Sequence, residues 1–220
     1  VDVVISCGAA VAPITILLAD VNLAKSAVIM NPRPLPLRKF TLAFVPLHDE
    51  VASRPNVIQT HGALSAVTQE HLVDARERLR AHPRCRLSAT LSEGRPIIAV
   101  LLGGDTRDYQ LTTSFTEALI RHVLAMCEEV GGVCLVTTSR RTPPEVERLL
   151  SESLANHPRC ALLLLASRDQ LDGTVEGMLG WASVVIVTGE SISMVSEACA
   201  SGRYVIVVEP PRPRAGSGQA

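Results

Sequence analysis

Five short, uncharged apolar runs recur at helix-length intervals through the second half of this 220-residue chain, and they restrict its fold more than any other feature. They are Ile97–Leu102, Val133–Thr137, Ala161–Leu165, Val184–Val187 and Tyr204–Val208. Each is four to six residues long, a strand's length rather than a helix's, and is dominated by Val, Ile and Leu. None shows the polar alternation of a strand with one wet face, so both faces are expected to be covered. Strands of this kind with helices between them are βαβ units, and βαβ units build a parallel sheet. The interior must be aliphatic, because apolar residues make up 47% of the chain and aromatics only 3%.

The intervening helices carry start signals. Ser114-Phe115-Thr116-Glu117 reads as a capping box, followed by a stripe of Phe115, Leu119, Val123 and Met126. Thr142-Pro143-Pro144-Glu145 reads as a second, opening a helix that carries Val146, Leu149, Leu150 and Leu154 and stops near His157-Pro158. A third helix starts at Ser191 to Ser193 and closes at Gly202, a left-handed cap. The first half is less regular. Strands are expected near Val3–Ser6, Ala27–Met30, Leu42–Val45 and Val57–Gln59, with a helix over Gln69–Ala81. That too is α/β, with too few strands for a complete Rossmann domain. Low periodicity in Ala81–Pro96 places a boundary there, giving domains 1–85 and 95–209 and a disordered tail 210–220.

Bulk properties exclude several classes. The net charge of −1 gives no basis for a nucleic-acid or anionic-membrane partner. Cys7, Cys85, Cys127, Cys134, Cys160 and Cys199 are scattered, without a CxxC pair or clustered histidines, so they read as buried hydrophobes in a reducing compartment rather than disulfides or zinc ligands. Val3–Ala19 is nearly free of charge, but at about 17 residues, broken by Gly8 and Pro13, it is too short for a membrane span. No basic flank marks it as a signal peptide; a buried strand, a glycine turn and a helix account for it. A start at Val1 suggests a fragment. His122, among apolar helix positions, and Trp181 read as packing.

Three loops hold the candidate chemistry. Thr188-Gly189-Glu190-Ser191-Ile192-Ser193-Met194-Val195-Ser196-Glu197 joins a strand end to a helix start. Helix N-termini offer free N–H groups and partial positive charge to a phosphate, and Ser191 and Ser193 can add hydroxyls. Glu197, one turn into the helix, can accept from both hydroxyls of a ribose. In Leu101-Leu102-Gly103-Gly104-Asp105-Thr106-Arg107 the glycines leave backbone exposed after a strand, with Thr106 and Arg107 as further donors. It is neither a Walker loop nor G-x-G-x-x-G, which disfavours ATP hydrolysis and NAD. Thr137-Thr138-Ser139-Arg140-Arg141-Thr142 sets paired arginines at another strand end. Taken singly, each loop is equally read as a cap, a turn or a solvated segment. All three, however, fall at carboxyl ends of strands in one expected sheet, the edge where open α/β sheets bind ligands. In the first half, His48 with Asp49, or His61, is a candidate general base, and surface or capping histidines remain the alternative.

These segments together resemble the mitochondrial-fission Elm family of plants and bacteria. The resemblance runs in order through Asn31-Pro32-Arg33, Phe44-Val45-Pro46-Leu47-His48-Asp49, Thr60-His61-Gly62-Ala63-Leu64 and Leu102-Gly103-Gly104-Asp105. It continues through Thr137-Thr138-Ser139-Arg140-Arg141-Thr142-Pro143-Pro144 and Ser191-Ile192-Ser193-Met194-Val195-Ser196-Glu197-Ala198. The last two segments are the specific ones. The chain departs from the pattern at Ala9-Ala10-Val11, where relatives tend to be polar or basic, and it lacks an opening strand and closing helices.

The family in turn resembles the GT-B glycosyltransferases, which implies two Rossmann-like domains facing across a cleft, the first incomplete here. It implies a nucleotide-diphosphate sugar on the C-terminal domain, with Gly103, Gly104 and Ser193 near phosphate, Glu197 near ribose, and no required metal cofactor. The wider ligand rim would be Thr106, Arg107, Ser139, Arg140, Arg141, Gly189, Ser191 and Ser196. Acceptor and base, His48 or else His61, would belong to the first domain. The alternative is a non-enzymatic adaptor that recruits a partner, since plant relatives are associated with a dynamin-related protein at mitochondria. Either role places the protein in the cytoplasm, or peripherally at the mitochondrial outer membrane. An epimerase working through a bound dinucleotide is weaker, because the fingerprint is missing.

Overall fold

A computed structural model describes residues 1–86, 94–169 and 172–213. The chain divides into two compact units, Val1–Ser65 and Ala66–Ala220. The first holds β1 (Val3–Cys7), α1 (Ala12–Val21), β2 (Lys25–Ile29), β3 (Leu42–Pro46) and β4 (Val57–Thr60). Its strands form one parallel sheet in the order β1-β2-β3-β4. Gly8, at φ +91°, makes the turn out of β1, and Pro13 lies in the first turn of α1, where its missing N–H costs nothing. Ala12 of α1 packs with Val28, Phe40, Ala43 and Val45 into a small core. One expectation fails here. β1 is an edge strand rather than a buried one: the face carrying Val3, Ile5 and Cys7 is exposed, Val3 by 48% and Ile5 by 65%, and Val4 and Ser6 on the other face are half-buried.

The second unit runs α2 (Gln69–Arg80), β5 (Ile97–Leu101), α3 (Thr113–Glu129), β6 (Val133–Thr137), α4 (Pro144–Leu154), β7 (Cys160–Leu164), α5 (Thr174–Trp181), β8 (Val184–Thr188), α6 (Ile192–Ala200) and β9 (Tyr204–Val208). All five strands are parallel, ordered β7-β6-β5-β8-β9. β5 lies between β6 and β8, with Leu101 level with Thr137 on one side and Val187 on the other. Alternate residues of β5, β6 and β8 feed opposite cores, which is why those runs show no polar alternation. β9, at the sheet edge, departs from the expectation of two covered faces, with Tyr204, Ile206 and Val207 exposed. Ile98, Val100, Cys134, Val136 and Ile186 meet α3 and α4 through Ile120, Val123, Val146 and Leu150. Ala99, Leu101, Leu135, Val185 and Val187 meet α2, α5 and α6 through Leu72, Leu79, Met178, Leu179 and Ala198. Connections leaving β5 and β8 therefore go to opposite faces, so the strand order reverses between them at their carboxyl ends.

The helix over Gln69–Arg80 belongs with the second unit rather than the first. Its apolar residues Leu72, Ala75 and Leu79 are buried against α5, which comes close because two of its residues are glycine. A Cβ on Gly177 would stand 2.8 Å from Leu79 Cβ and 2.9 Å from the Ala75 carbonyl oxygen; one on Gly180 would stand 2.5 Å from the Leu72 carbonyl oxygen. Trp181 Nε1 donates to the Arg76 carbonyl at 2.8 Å and the Arg76 guanidinium lies 5.2 Å from the indole centroid, so Trp181 is indeed a packing residue.

Several local expectations are displaced. α3 is capped by Thr112, whose hydroxyl accepts from Phe115 N at 3.3 Å, and not by Ser114. Its buried stripe is accordingly Thr116, Ile120, Val123 and Cys127, with Phe115, Leu119 and Met126 on the flanks. Thr142 caps nothing: α4 opens on Pro143 and Pro144 without a side-chain cap and ends at Leu154. His122 is exposed rather than packed, with its Nδ1 at 2.7 Å from the Ala118 carbonyl oxygen. Three cysteines are core residues, Cys127, Cys134 and Cys160, whereas Cys7 and Cys199 are exposed and Cys85 half-buried. Hydrogen bonding to Cys127 and Cys160, then burial, pushes the Cys134 thiol up and keeps it protonated. The segment after β9 is placed as far as Pro213, with the Pro211 carbonyl accepting from Gln110 N at 2.9 Å; 214–220 lie outside the described residues.

Gly180→Ala is expected to lower unfolding free energy by about 1–3 kcal/mol through overpacking, outweighing the roughly 1 kcal/mol alanine gains in helix propensity. Urea unfolding checks the sign; a stabilised variant would contradict the close α2–α5 approach.

Candidate functional site

Three loops of the second unit converge above the carboxyl end of β5. Gly103 N donates to Thr188 Oγ1 at 2.8 Å, and Gly104 N donates to Glu190 Oε1 at 2.8 Å. Thr188, fully buried, also donates its hydroxyl to Glu190 Oε1 at 3.0 Å. From the β6 side, Thr142 Oγ1 donates to the Gly103 carbonyl and accepts from Ser139 N at 2.9 Å. Asp105 N donates to the Arg141 carbonyl at 3.2 Å. Gly104 is thus a steric requirement, since it faces backbone, and Gly103 is one as long as Glu190 stays in place. A Cβ on Gly103 would collide with Glu190 Oε1, and one on Gly104 with the Arg141 carbonyl. Both glycines are buried, and with Glu190 in place both N–H groups are spent inside the protein.

The other sequence-predicted residues divide by role. Thr106 Oγ1 accepts from Asp108 N at 3.3 Å and Tyr109 N at 3.1 Å, closing its own turn, with Arg107 exposed beside it. Ser139 Oγ accepts from Arg141 N at 3.2 Å, so that hydroxyl also serves the loop. Arg140 and Arg141 are exposed and edge a depression of about 740 Å³ with Pro144, Glu147, Arg148 and Arg168, over the carboxyl ends of β6 and β7. Its floor is a buried network: Thr138 Oγ1 donates to Glu147 Oε1 at 2.6 Å and accepts from Ala166 N at 2.8 Å.

On the β8 side, Gly189 N donates to the Val208 carbonyl at 2.9 Å, tying the loop to β9. Ser191 is buried but places no side-chain cap on α6. The amides of Ile192, Ser193 and Met194 have no protein acceptor among the described residues, leaving that helix end open to an anion. Ser193 is exposed at this end, and Ser196 and Glu197 are half-buried one turn on. Burial, then the nearby Glu176 carboxylate, pushes the Glu197 carboxyl above its ordinary range.

In the first unit, His48 and Asp49 lie in a 3₁₀ turn directly after β3, and His61 directly after β4. Both histidines are exposed, Asp49 is half-buried, and no hydrogen bond joins His48 to Asp49.

Sequence reasoning placed Thr188, Glu190 and Thr138 in the candidate loops without a role of their own, and passed over Glu147. Glu190 had one signal available: it is the only charge between an apolar strand and a serine-rich turn. The contact that matters spans 86 residues of chain, from Gly104 to Glu190, and no local pattern encodes it.

Two parallel sheets, the second with a strand-order reversal between β5 and β8, are the architecture of Rossmann-like α/β proteins resembling GT-B epimerases and glycosyltransferases. The chain belongs to the mitochondrial fission ELM1 family, whose model matches residues 1–218. It is 30% identical over 118 residues to the mitochondrial fission protein ELM1 of Arabidopsis thaliana, a match covering 52% of this chain and 26% of that protein. The fold resembles a candidate UDP-N-acetylglucosamine 2-epimerase of Listeria monocytogenes (TM-score 0.60, 14% identity, 94% of this chain and 56% of that one). It also resembles the UDP-GlcNAc 2-epimerase of Neisseria meningitidis bound to UDP-GlcNAc (TM-score 0.57, 14% identity, 97% and 61%). A third likeness is to S. aureus MnaA in complex with UDP (TM-score 0.52, 14% identity, 94% and 56%). The chain therefore spans about a quarter of the plant relative's length and somewhat over half of the structural neighbours'. No helix among the described residues is long and apolar enough to cross a membrane.

Two outcomes follow from this geometry. Thr142→Val strands the buried Gly103 carbonyl and Ser139 N together, and is expected to cost about 1–3 kcal/mol in urea unfolding. For Glu197, a raised folded-state pKa means that its stabilising protonated form is complete below the ordinary carboxyl range and is lost as pH rises through the folded value. Glu197→Gln should therefore melt higher than wild type at pH 7, with the difference vanishing near pH 4; thermal melts at both values check it.

Proposed function

We propose that the second unit binds a nucleotide-diphosphate sugar at its carboxyl edge, in the manner of a GT-B glycosyltransferase-like protein. The observation that carries this reading is the uncapped N-terminus of α6 at the switch point, with Ser193 exposed on it and Glu197 one turn further along. Free amides and the positive helix end suit a phosphate, and a carboxylate one turn away suits the paired hydroxyls of a ribose. Arg140 and Arg141, exposed on the adjoining loop, suit a second phosphate. Structural neighbours described as bound to UDP and to UDP-GlcNAc lend support from fold alone.

In this reading transfer is a direct displacement at the sugar carbon. The departing diphosphate gains its stabilisation from the arginines and helix amides, without a required metal. His48, or in its place His61, takes the acceptor's proton. The adaptor alternative, recruiting a membrane-fission partner such as a dynamin-related protein, draws on the family and on α1, which turns Ile14, Leu17, Leu18 and Val21 to solvent.

Calorimetric titration with UDP-, GDP- and ADP-sugars tests the reading. At least one is expected to bind with Kd on the order of 1 μM to 1 mM, the usual range for enzyme substrates. Glu197→Ala should weaken it by about tenfold or more, the loss of hydrogen bonds to a charged group. Binding by none contradicts the reading. Binding without turnover, together with loss of partner capture in Leu17→Asp, favours the adaptor.

A further inference from the structure

We propose that Glu190 is the molecule's own occupant of the anion seat between β5 and β8, and that a phosphate-bearing ligand reaches the Gly104 amide only by displacing this carboxylate. The natural ligand's identity rests on the nucleotide-sugar reading; the seat itself does not.

The donor set is that of a phosphate site. Glu190 Oε1 takes the Gly104 N–H at 2.8 Å and the Thr188 hydroxyl at 3.0 Å, at a glycine-bearing strand end beside a helix N-terminus. Phosphate oxygens take the same combination of loop amide, hydroxyl and helix end. A carboxylate is the closest protein substitute, and its hydrogen bonds to N–H groups are charge-assisted in the same way.

The volume is the same one as well. Glu190 Oε1 fills the space a side chain on Gly103 would need, so a ligand oxygen bonded to Gly104 N must stand where Oε1 now stands. Two anions cannot share it, because at hydrogen-bond separation in a partly buried site their repulsion is large.

Displacement has a driving force already present. Glu190 Oε2 is closed off from water and has no hydrogen-bond partner. The carboxylate thus holds the seat with one oxygen while the other bears an uncompensated loss of hydration. Outward rotation of the side chain rehydrates Oε2 and leaves the Gly104 N–H and the Thr188 hydroxyl to the incoming anion. The seat is therefore closed by an exchangeable group, and Glu190 sets how tightly an anion must bind to enter.

Inorganic pyrophosphate is the probe, titrated into the isotope-labelled full chain while the Gly104 amide resonance is followed. In wild type that amide is expected to stay in place. In Glu190→Ala it should shift, with apparent affinity for pyrophosphate rising by about tenfold or more, the equivalent of one charge-assisted contact released. Glu190→Gln keeps the acceptor and the shape but removes the charge, so it should give a smaller gain at the same amide. It also serves as the test if the alanine variant does not fold. No gain in the folded variant, or a gain that leaves the Gly104 amide unmoved, overturns the proposal. Pyrophosphate binding at Gly104 in Glu190→Ala, with no nucleotide sugar bound by any form, supports the Glu190 proposal while the nucleotide-sugar reading fails. Nucleotide-sugar affinity unchanged by Glu190→Ala does the reverse.

Discussion

The second unit depends on a close crossing of backbones above β5. Gly103 and Gly104 are held from one side by Thr142 and the Arg141 carbonyl and from the other by Thr188 and Glu190. No side chain fits at Gly104 against the Arg141 carbonyl, nor at Gly103 while Glu190 holds its place, so the three loops share one junction. That junction fixes where the loops after β5, β6 and β8 stand relative to one another. The sheet order beneath it sends the chain from β5 and from β8 to opposite faces, so the junction lies over the strand-order reversal. The arginine loop, the open end of α6 and Glu197 are brought to one edge by the sheet and kept there by the crossing.

The crossing also changes what the glycines mean. A glycine pair after a buried strand suggests backbone laid bare for a phosphate, yet here both amides are consumed by protein acceptors. The free donors are instead on α6, at Ile192, Ser193 and Met194. A polar ring that satisfies Gly103 and Gly104 but leaves Glu190 Oε2 without a partner is under tension at one atom.

The inner strands β5, β6 and β8 were legible because burial on both faces leaves a compositional mark. The edge strands β1 and β9 carry the same apolar runs although much of their surface is exposed. Uncharged runs of Val, Ile and Leu located all nine strands to within two residues at each end. Signals resting on a single residue type fared less well. Thr112 and Ser114 are both plausible caps by chemistry, and only the burial of Thr116 and Ile120 selects Thr112. The stripe Leu72, Ala75, Leu79 announced an amphipathic helix without naming the surface it covers. The readable clue lay a hundred residues on, in the spacing Gly177-x-x-Gly180, which marks a helix that another helix approaches closely. Hydrogen bonds such as Gly104 to Glu190 and Thr142 to Gly103 join distant loops and leave no periodic trace. For that reason the convergence of the three loops at one sheet edge could be read from the sequence and their internal wiring could not.

The central claim, that the carboxyl edge of the five-stranded sheet is where this protein meets its ligand, is tested most directly by amide hydrogen exchange on the full chain with and without saturating UDP. The account predicts slowed exchange confined to 102–112, 138–144 and 188–197, the three loops at that edge. Protection at the opposite edge instead, around Pro96, Gly131, Ser183 and Gly202, or no protection at all, would contradict it.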